Sequence, residues 1–199
     1  LIATCNWGLT YHPTDAGFHC YVDANFTGNW DKEYSINDPD TTCSRTGFIA
    51  ALAGCPIFWT CKLQTTISLS TMEAEYVALS TAMHDIIPIL DLMNEMKEKG
   101  FEQHGEQLTV HCKVFEDNSS ALAIATKHQW RPCTKHINIQ YHHFRSYVTD
   151  SSIKIFPIDS LEQPVDMLTK PLALELLHKH QNFLKGWWQL LIMRGSEWK

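Results

Sequence analysis

The run His19-Cys20-Tyr21-Val22-Asp23-Ala24 is a short apolar stretch that ends on a single acid. Its Tyr and Val favour strands, and the polar residues that follow it favour turns. The pattern predicts a central strand over residues 18–24, with Asp23 near its exit. Three later acids have similar settings: Glu75, Asp117 and Asp166. If the fold brings the four together, they would form an acidic cage suited to divalent metals.

Length and composition fit one globular domain. The chain has 199 residues, 44% of them hydrophobic and 19% charged. No uninterrupted apolar run reaches the ~18 residues that a membrane span needs, so no membrane association is expected. The first residues lack the basic region of a signal peptide. A start at Leu1 rather than Met predicts a piece of a longer polypeptide.

The seven cysteines are scattered and odd in number. Those at 20, 55, 61 and 112 lie in apolar runs, which predicts reduced, buried thiols without a disulfide partner. A zinc site is the alternative, with His111, Cys112, Cys133 and His136 as candidate ligands. Their spacings match no common zinc site.

The net charge is −6, from 16 basic and 22 acidic residues. This balance argues against a self-sufficient nucleic-acid binder, which normally carries a basic face. The argument is weaker for a metal-dependent nuclease. Such an enzyme holds a cluster of acids, and the metal cations that it binds reverse the sign of the local charge.

The first half of the chain predicts a hairpin and a helix. After a long polar loop over 25–46, strands are expected over 47–53 and 57–63, joined by a turn. Ser70 and Glu73 have capping-box spacing, and the apolar residues Met72, Tyr76, Leu79 and Met83 mark the core face of the helix that follows. Pro88 predicts a kink, or a second helix over 88–98.

The second half predicts crossovers. A charged loop over 97–107 precedes a strand over 108–116, which ends at Asp117, and a small helix over 121–127. A loop over 128–134, an amphipathic helix to Val148 and an edge strand over 153–158 follow. A second capping box at Ser160-Leu161-Glu162-Gln163 predicts a helix that contains Asp166, before a helical tail from Leu172. This order predicts an α/β fold whose mixed sheet carries helices on its faces.

Two Mg²⁺ ions about 4 Å apart, held by carboxylates, can cut phosphodiesters. Each acid also has an ordinary reading, since Asp117 could be an N-cap and Asp166 a first-turn acid that offsets the helix dipole. Glu73 and Glu75 lie roughly 200° apart on a helix, so only one of them can face the site. The capping role open to Glu73 favours Glu75.

Six segments, in order, resemble the ribonuclease H domain of copia-type (Pseudoviridae) retrotransposon Pol polyproteins over roughly residues 18–172. They are Tyr21–Ala24, Ser44–Phe48, Ser70–Leu79, Glu116–Ala121, Thr134–Ile137 and Val165–Leu172. The resemblance implies a ribonuclease H-like fold with a five-stranded mixed sheet, its first three strands antiparallel and its last two parallel, and helices on both faces. It divides the chain into a lead-in over 1–17 from an upstream reverse transcriptase, the ribonuclease H domain over 18–172 and a helical tail over 173–199.

The same resemblance implies hydrolysis of the RNA strand of an RNA–DNA hybrid, leaving a 3′-hydroxyl and a 5′-phosphate, with two Mg²⁺ ions that Mn²⁺ can replace. In such enzymes Asp23 would bridge both ions, Glu75 and Asp117 would hold one, and Asp166 would hold the other. The expected partners are the hybrid and the upstream reverse transcriptase, in the cytoplasm within virus-like particles. The candidate substrate contacts are Arg45, Asn118, Ser119, Trp130, Arg131, Lys135 and His136. Trp59, in an apolar strand, is expected in the core.

The sequence departs from cellular ribonucleases H in two respects. The loop Asp159–Gln163, before the last acid, has no His, and no helix is rich in Lys or Arg. The second feature predicts weak hybrid binding by the isolated domain. Two alternatives stay open: a catalytically silent connector of the same fold that helps a reverse transcriptase hold its template, and an integrase or exonuclease relative with another substrate.

Overall fold

A computed structural model describes residues 8–28, 30–33, 38–103, 106–107, 110–126 and 142–185. Five strands form one mixed sheet in the order β3-β2-β1-β4-β5. They are β1 Phe18–Asn25, β2 Arg45–Leu52, β3 Cys55–Leu63, β4 Cys112–Glu116 and β5 Ile153–Pro157. The first three pair antiparallel, and β4 pairs in parallel with both β1 and β5. The predicted fold class is confirmed, with β5 at the edge as its proline predicts.

Helices cover both faces of the sheet. They are α1 Thr71–Glu98, α2 Ser119–Thr126, α3 Arg145–Thr149, α4 Asp166–Thr169 and α5 Leu174–Leu184. The main core lies between α1 and the sheet, where Val22, Phe48 and Val114 meet Tyr76, Leu79 and Met83. Helices α2 and α3 extend this layer over β5, whereas α4 and α5 lie on the opposite face. On that face Tyr21 stacks on Phe115 and contacts Phe183 of α5 edge-on.

The predicted start of α1 is confirmed, whereas a second helix over 88–98 is wrong. The Ser70 hydroxyl accepts a hydrogen bond from the Glu73 N–H at 3.2 Å, as an N-cap does. The Glu73 carboxylate reaches back to the N–H of Leu69 at 2.8 Å. Pro88 lies inside one continuous helix that runs to Glu98. Pro88 costs α1 a backbone hydrogen bond, but the fully buried Ile86 and Leu90 on either side hold the helix against the sheet.

Two later expectations are also wrong. The charged segment 97–107 completes α1 and contains a small antiparallel ribbon, Glu102–Gln103 with Glu106–Gln107. Ser160 does not cap a helix; Asp159 caps a single 3₁₀ turn over Ser160–Glu162. The buried Gln163 side chain then donates to the Val22 carbonyl at 2.8 Å. This bond ties the chain to β1, and Asp166 begins a separate helix of 4 residues.

Two side chains of β3 are more exposed than their apolar surroundings predict. Trp59 is 53% exposed, because β3 is an edge strand and α4 and α5 only partly cover its outer face. Phe58, its neighbour on the other face, packs on Phe48. Cys61 is also exposed, whereas the thiols at 20, 55 and 112 are buried as expected. The described cysteines at 20, 43, 55, 61 and 112 are all free.

Helix α1 is long and apolar enough to cross a membrane by length and composition alone, with a mean hydropathy of 1.2. In the fold, 56% of this apolar window is buried. Packing against the sheet therefore accounts for its composition.

Candidate metal centre

The candidate site lies where β1 and β4 end. The two strands run parallel, and Tyr21 is paired with Phe115. Extending this register by two residues brings Asp23 level with Asp117. Asp23 is fully buried, and Asp117 follows the last residue of β4. Parallel strands bring their carboxyl ends to one edge of a sheet, which is where α/β folds place their sites.

Glu75 reaches the same edge from α1. Its side chain is almost fully buried, and its Oε2 accepts a hydrogen bond from the Ala24 N–H at 2.6 Å. The start of α1 is fixed by the buried Gln64, whose amide donates to the Ala74 carbonyl at 2.8 Å and to the Thr46 hydroxyl at 3.0 Å. Glu75 is therefore held by the sheet on one side and by its own anchored helix on the other.

Together, Asp23, Glu75 and Asp117 each offer a carboxylate oxygen, and these oxygens lie within 4.8 Å of one another. Mg²⁺ and Mn²⁺ prefer oxygen ligands of this kind. Asp117 is oriented by Ser160, whose hydroxyl donates to its Oδ2 at 2.8 Å. The donor set fits one hard divalent cation.

Burial and repulsion from neighbouring acids disfavour negative charge on Glu75 and Asp23. Burial raises the pKa of Glu75 to about 10, and the charges of Glu116, Asp23 and Asp117 add to the shift. Burial also raises the pKa of Asp23, although Lys170 and the Thr169 hydroxyl oppose it. A divalent cation would relieve this repulsion. The cluster is therefore more stable with a bound cation than without one.

Glu116 is a further buried acid at the site that the sequence interpretation missed. It is fully buried, and its Oε1 accepts a hydrogen bond from the Asn118 N–H at 3.1 Å. Its Oε2 has no hydrogen-bond partner among the described residues. Burial raises its pKa well above the ordinary value. Alternation along β4 offered the signal, since it places Glu116 on the same face as the buried Cys112 and Val114.

Asp166 lies beside this group and is linked to it by a lysine. Lys170 donates to Asp23 Oδ1 at 2.9 Å and to Asp166 Oδ1 at 3.0 Å. Burial lowers the pKa of Lys170, but the charges of Asp23 and Asp166 outweigh that effect and raise it overall. The sequence interpretation missed Lys170. Its i,i+4 spacing from Asp166 was the available signal.

The segment that carries Asp166 and Lys170 is held against β1. The Thr169 hydroxyl donates to Asp23 Oδ2, and the Asn25 amide donates to the Thr169 carbonyl at 3.0 Å. Gly47, opposite Asp23 on β2, allows this close approach. A Cβ atom at Gly47 would lie 2.6 Å from the Thr169 methyl carbon.

The predicted substrate contacts are only partly described. Asn118 Oδ1 accepts hydrogen bonds from the N–H groups of Ser120 and Ala121, both at 3.0 Å, which makes it the cap of α2. Ser119 is exposed at the start of that helix, and Arg45 is half-buried at the start of β2. The remaining candidates, Trp130, Arg131, Lys135 and His136, lie outside the described residues, as do Cys133 and the tail beyond residue 185.

Comparison with known proteins gives relatives of one kind. The chain is 32% identical over 181 residues to the retrovirus-related Pol polyprotein from transposon TNT 1-94 of Nicotiana tabacum, an alignment that covers 87% of this chain and 12% of the polyprotein. It is 28% identical over 155 residues to that from transposon RE2 of Arabidopsis thaliana, over 78% of this chain and 10% of the polyprotein. The chain thus spans only about an eighth or less of these relatives. No protein-family model matches it.

Among solved structures, the chain is similar to LC11-RNase H1, which was isolated from compost by a metagenomic approach. The TM-score is 0.51 at 15% sequence identity, over 76% of this chain and 91% of that one. This similarity shows a shared fold. The chain therefore has the ribonuclease H fold, and its sequence relatives are retrovirus-related Pol polyproteins of copia-type transposons.

Proposed function

We propose that this chain is a metal-dependent endonuclease that hydrolyses the RNA strand of RNA–DNA hybrids. The observation that carries the proposal is the meeting of Asp23, Glu75 and Asp117 at one edge of a ribonuclease H-fold sheet. Buried carboxylates of different elements are costly to keep together, and structural packing alone gives no reason for them. Hydrolysis of a phosphodiester needs positive charge beside the scissile phosphate, and a cation held by these carboxylates would supply it.

Asp23, Glu75 and Asp117 would hold a divalent cation, with Mg²⁺ as the proposed ion and Mn²⁺ as a substitute. When bound, the ion supplies positive charge to the scissile phosphate and makes water a stronger nucleophile at neutral pH. The chain's own part is to orient these groups. The Ala24 N–H fixes Glu75, and the Ser160 hydroxyl fixes Asp117. Lys170 brings further positive charge beside Asp23.

The polyprotein context extends the proposal. In the relatives this segment is a small part of a Pol polyprotein. We propose that the chain follows a reverse transcriptase in such a polyprotein and acts on hybrids made during reverse transcription in cytoplasmic virus-like particles. The proposed domain covers residues 18–172, and the acidic net charge favours help from that neighbour in holding the substrate.

Cleavage of a labelled RNA–DNA hybrid by the full chain with Mg²⁺ or Mn²⁺ tests the proposal. We expect cutting of the RNA strand only, none of a DNA duplex, and loss of cutting with Asp117→Asn, because that variant removes one charge of the cluster. Circular dichroism would verify that the variant is folded. A folded wild-type chain that leaves the hybrid intact, even with a reverse transcriptase added, would favour the silent connector instead.

The two glutamates of α1 provide a matched comparison. Glu75→Gln is expected to lower the initial cleavage rate by about 10²-fold or more, because it removes a buried charge from the cluster. Glu73→Gln should stay within about threefold of wild type, since the Glu73 carboxylate accepts a hydrogen bond from the exposed Leu69 backbone and is not part of the acid cluster in the described part of the chain. Initial rates on the same hybrid at saturating Mg²⁺ give the ranking. The opposite ranking would move the site to Glu73.

A further inference from the structure

The ammonium group of Lys170 lies between two carboxylates that a ribonuclease H would use for metal. Its Nζ atom is 2.9 Å from Asp23 Oδ1 and 3.0 Å from Asp166 Oδ1. These are distances of charge-assisted hydrogen bonds. Asp166, in contrast, does not belong to the group of Asp23, Glu75 and Asp117 whose oxygens lie within 4.8 Å of one another in the described part of the chain.

We propose that Lys170 is a built-in cation that takes the place of the second metal ion, so that the chain binds one divalent ion. That ion is held by Asp23, Glu75 and Asp117, and Lys170 neutralises Asp166 and the far side of Asp23. The inference rests on the nuclease function proposed above and changes its cation count.

The position of Lys170 is fixed by its neighbours. It follows the last residue of α4, and its own N–H bonds back to the Asp166 carbonyl at 2.8 Å. The preceding residue, Thr169, is tied to β1 through Asp23 and Asn25. The Lys170 side chain is 31% exposed, in contrast to the fully buried side chain of Asp23. The ammonium therefore faces the buried carboxylates on one side and the open site on the other.

A second divalent ion between Asp23 and Asp166 would compete directly with this ammonium. The Oδ1 atoms of Asp23 and Asp166 already accept the two hydrogen bonds of Lys170, so an ion bound at these atoms would displace the ammonium. An ion and an ammonium within a few ångströms of each other repel strongly where water is scarce. Entry of the ion requires that Lys170 leave and break both bonds.

Lys170 can also contact the substrate directly. An ammonium group has three N–H donors, and two are taken by Asp23 and Asp166. Within the described residues the third has no acceptor, so it can donate to a non-bridging oxygen of the scissile phosphate, where it would stabilise the negative charge that develops in the transition state. This contact would make Lys170 a catalytic residue with no change in its own protonation.

The test is the number of Mn²⁺ ions bound per full chain, by calorimetry and by electron paramagnetic resonance of free Mn²⁺. We expect one ion for the wild type and two for Lys170→Met, since this neutral side chain of similar length frees Asp166 and the Oδ1 of Asp23. Lys170→Arg, which keeps the charge, should bind one. Lys179→Met is the matched control with one ion, because Lys179 is also half-exposed but pairs with Glu162 outside the site. Lys170→Gln serves if the Met variant does not fold.

Activity gives a second measurement. At saturating Mn²⁺, Lys170→Met should cleave the hybrid at least about tenfold more slowly than wild type. Two ions in the wild type, or one in both neutral variants, would overturn the inference and leave Lys170 as a structural ion pair. A wild type that binds no Mn²⁺ and leaves the hybrid intact would instead remove the proposed nuclease function, so the two failures are distinguishable.

Discussion

Replacement of Asp23 with Asn is expected to lower cleavage of an RNA–DNA hybrid on the order of 10³-fold, because charge stabilisation by a metal ion contributes several kcal/mol. Among the described acids, Asp23 is the one that belongs to the carboxylate cluster and also contacts Lys170. Its oxygens belong to the cluster with Glu75 and Asp117 and also accept hydrogen bonds from Thr169 and Lys170. Asn keeps the shape and one acceptor oxygen but removes the charge. Cleavage would therefore fall while the fold persists.

The measurement pairs initial cleavage rates with thermal unfolding. Asp91→Asn is the control, because Asp91 is exposed on α1 and 16 residues beyond Glu75, which is about 24 Å along the helix. The control should keep wild-type activity. Near-wild-type cleavage by a folded Asp23→Asn chain would show that the acid cluster is not the catalytic site.

Glu116→Gln is expected to stabilise the metal-free chain at pH 8, the reverse of what most substitutions at buried positions do. The carboxyl group of Glu116 is fully buried, one of its oxygens has no partner among the described residues, and Glu75 is close enough to repel it. Gln keeps the oxygen that accepts from Asn118 and carries no charge. It also replaces the unpaired oxygen with an amide N–H₂ that can donate to neighbouring carboxylates.

The sign of the pH dependence follows from the direction of the pKa shifts. Burial raises the pKa values of Glu116 and Glu75 above the ordinary 4.5 of the unfolded chain. The folded chain therefore holds protons that the unfolded chain has released. Stability is fully present below the unfolded pKa and is lost as pH rises above it, by up to about 1.4 kcal/mol per pH unit for one group.

Thermal unfolding in EDTA at pH 4.5 and pH 8 measures this effect. At pH 8 Glu116→Gln should raise the free energy of unfolding by roughly 2 kcal/mol, which corresponds to a Tm about 4–8 °C higher in a chain of this size. At pH 4.5 the difference should nearly vanish. Glu98→Gln, at the exposed end of α1, should change little at either pH. An equal or lower Tm for Glu116→Gln at pH 8 would mean that Glu116 has a stabilising partner in the metal-free chain.

Local patterns predicted the elements well where the chemistry was local. The alternation in β1, the turn between β2 and β3 and the cap at Ser70 each depend on a few neighbouring residues. Pro88 does not begin a second helix, because its local cost is outweighed by the burial of Ile86 and Leu90 on both sides, which depends on the whole sheet. Trp59 was expected in the core but is exposed. Alternation along a strand predicts on which face of the sheet a residue lies, but not whether a helix covers that face at the edge strand.

The candidate site was predictable in part for the same reason. Asp23 and Asp117 end strands, and this pattern is visible in the chain. Glu116 and Lys170 were missed because an acid at the end of a strand, or a lysine after a helix, usually faces water. Only the parallel pairing of β1 with β4, and the close approach of α4 to β1 across Gly47, bring them to the site.

The hydrogen bond between Lys170 and Asp23 spans 147 positions of the chain. It joins β1, the first strand of the sheet, to the residue that follows α4, so the cation arrangement exists only when the chain has been made as far as Lys170. A growing chain on the ribosome, or a copy cut short by a stop codon before residue 166, would carry β1, α1 and β4 without Asp166 and Lys170. The complete cation arrangement therefore requires that the chain be synthesised past Lys170. Cleavage that depends on this arrangement cannot begin before the last part of the domain has folded onto β1.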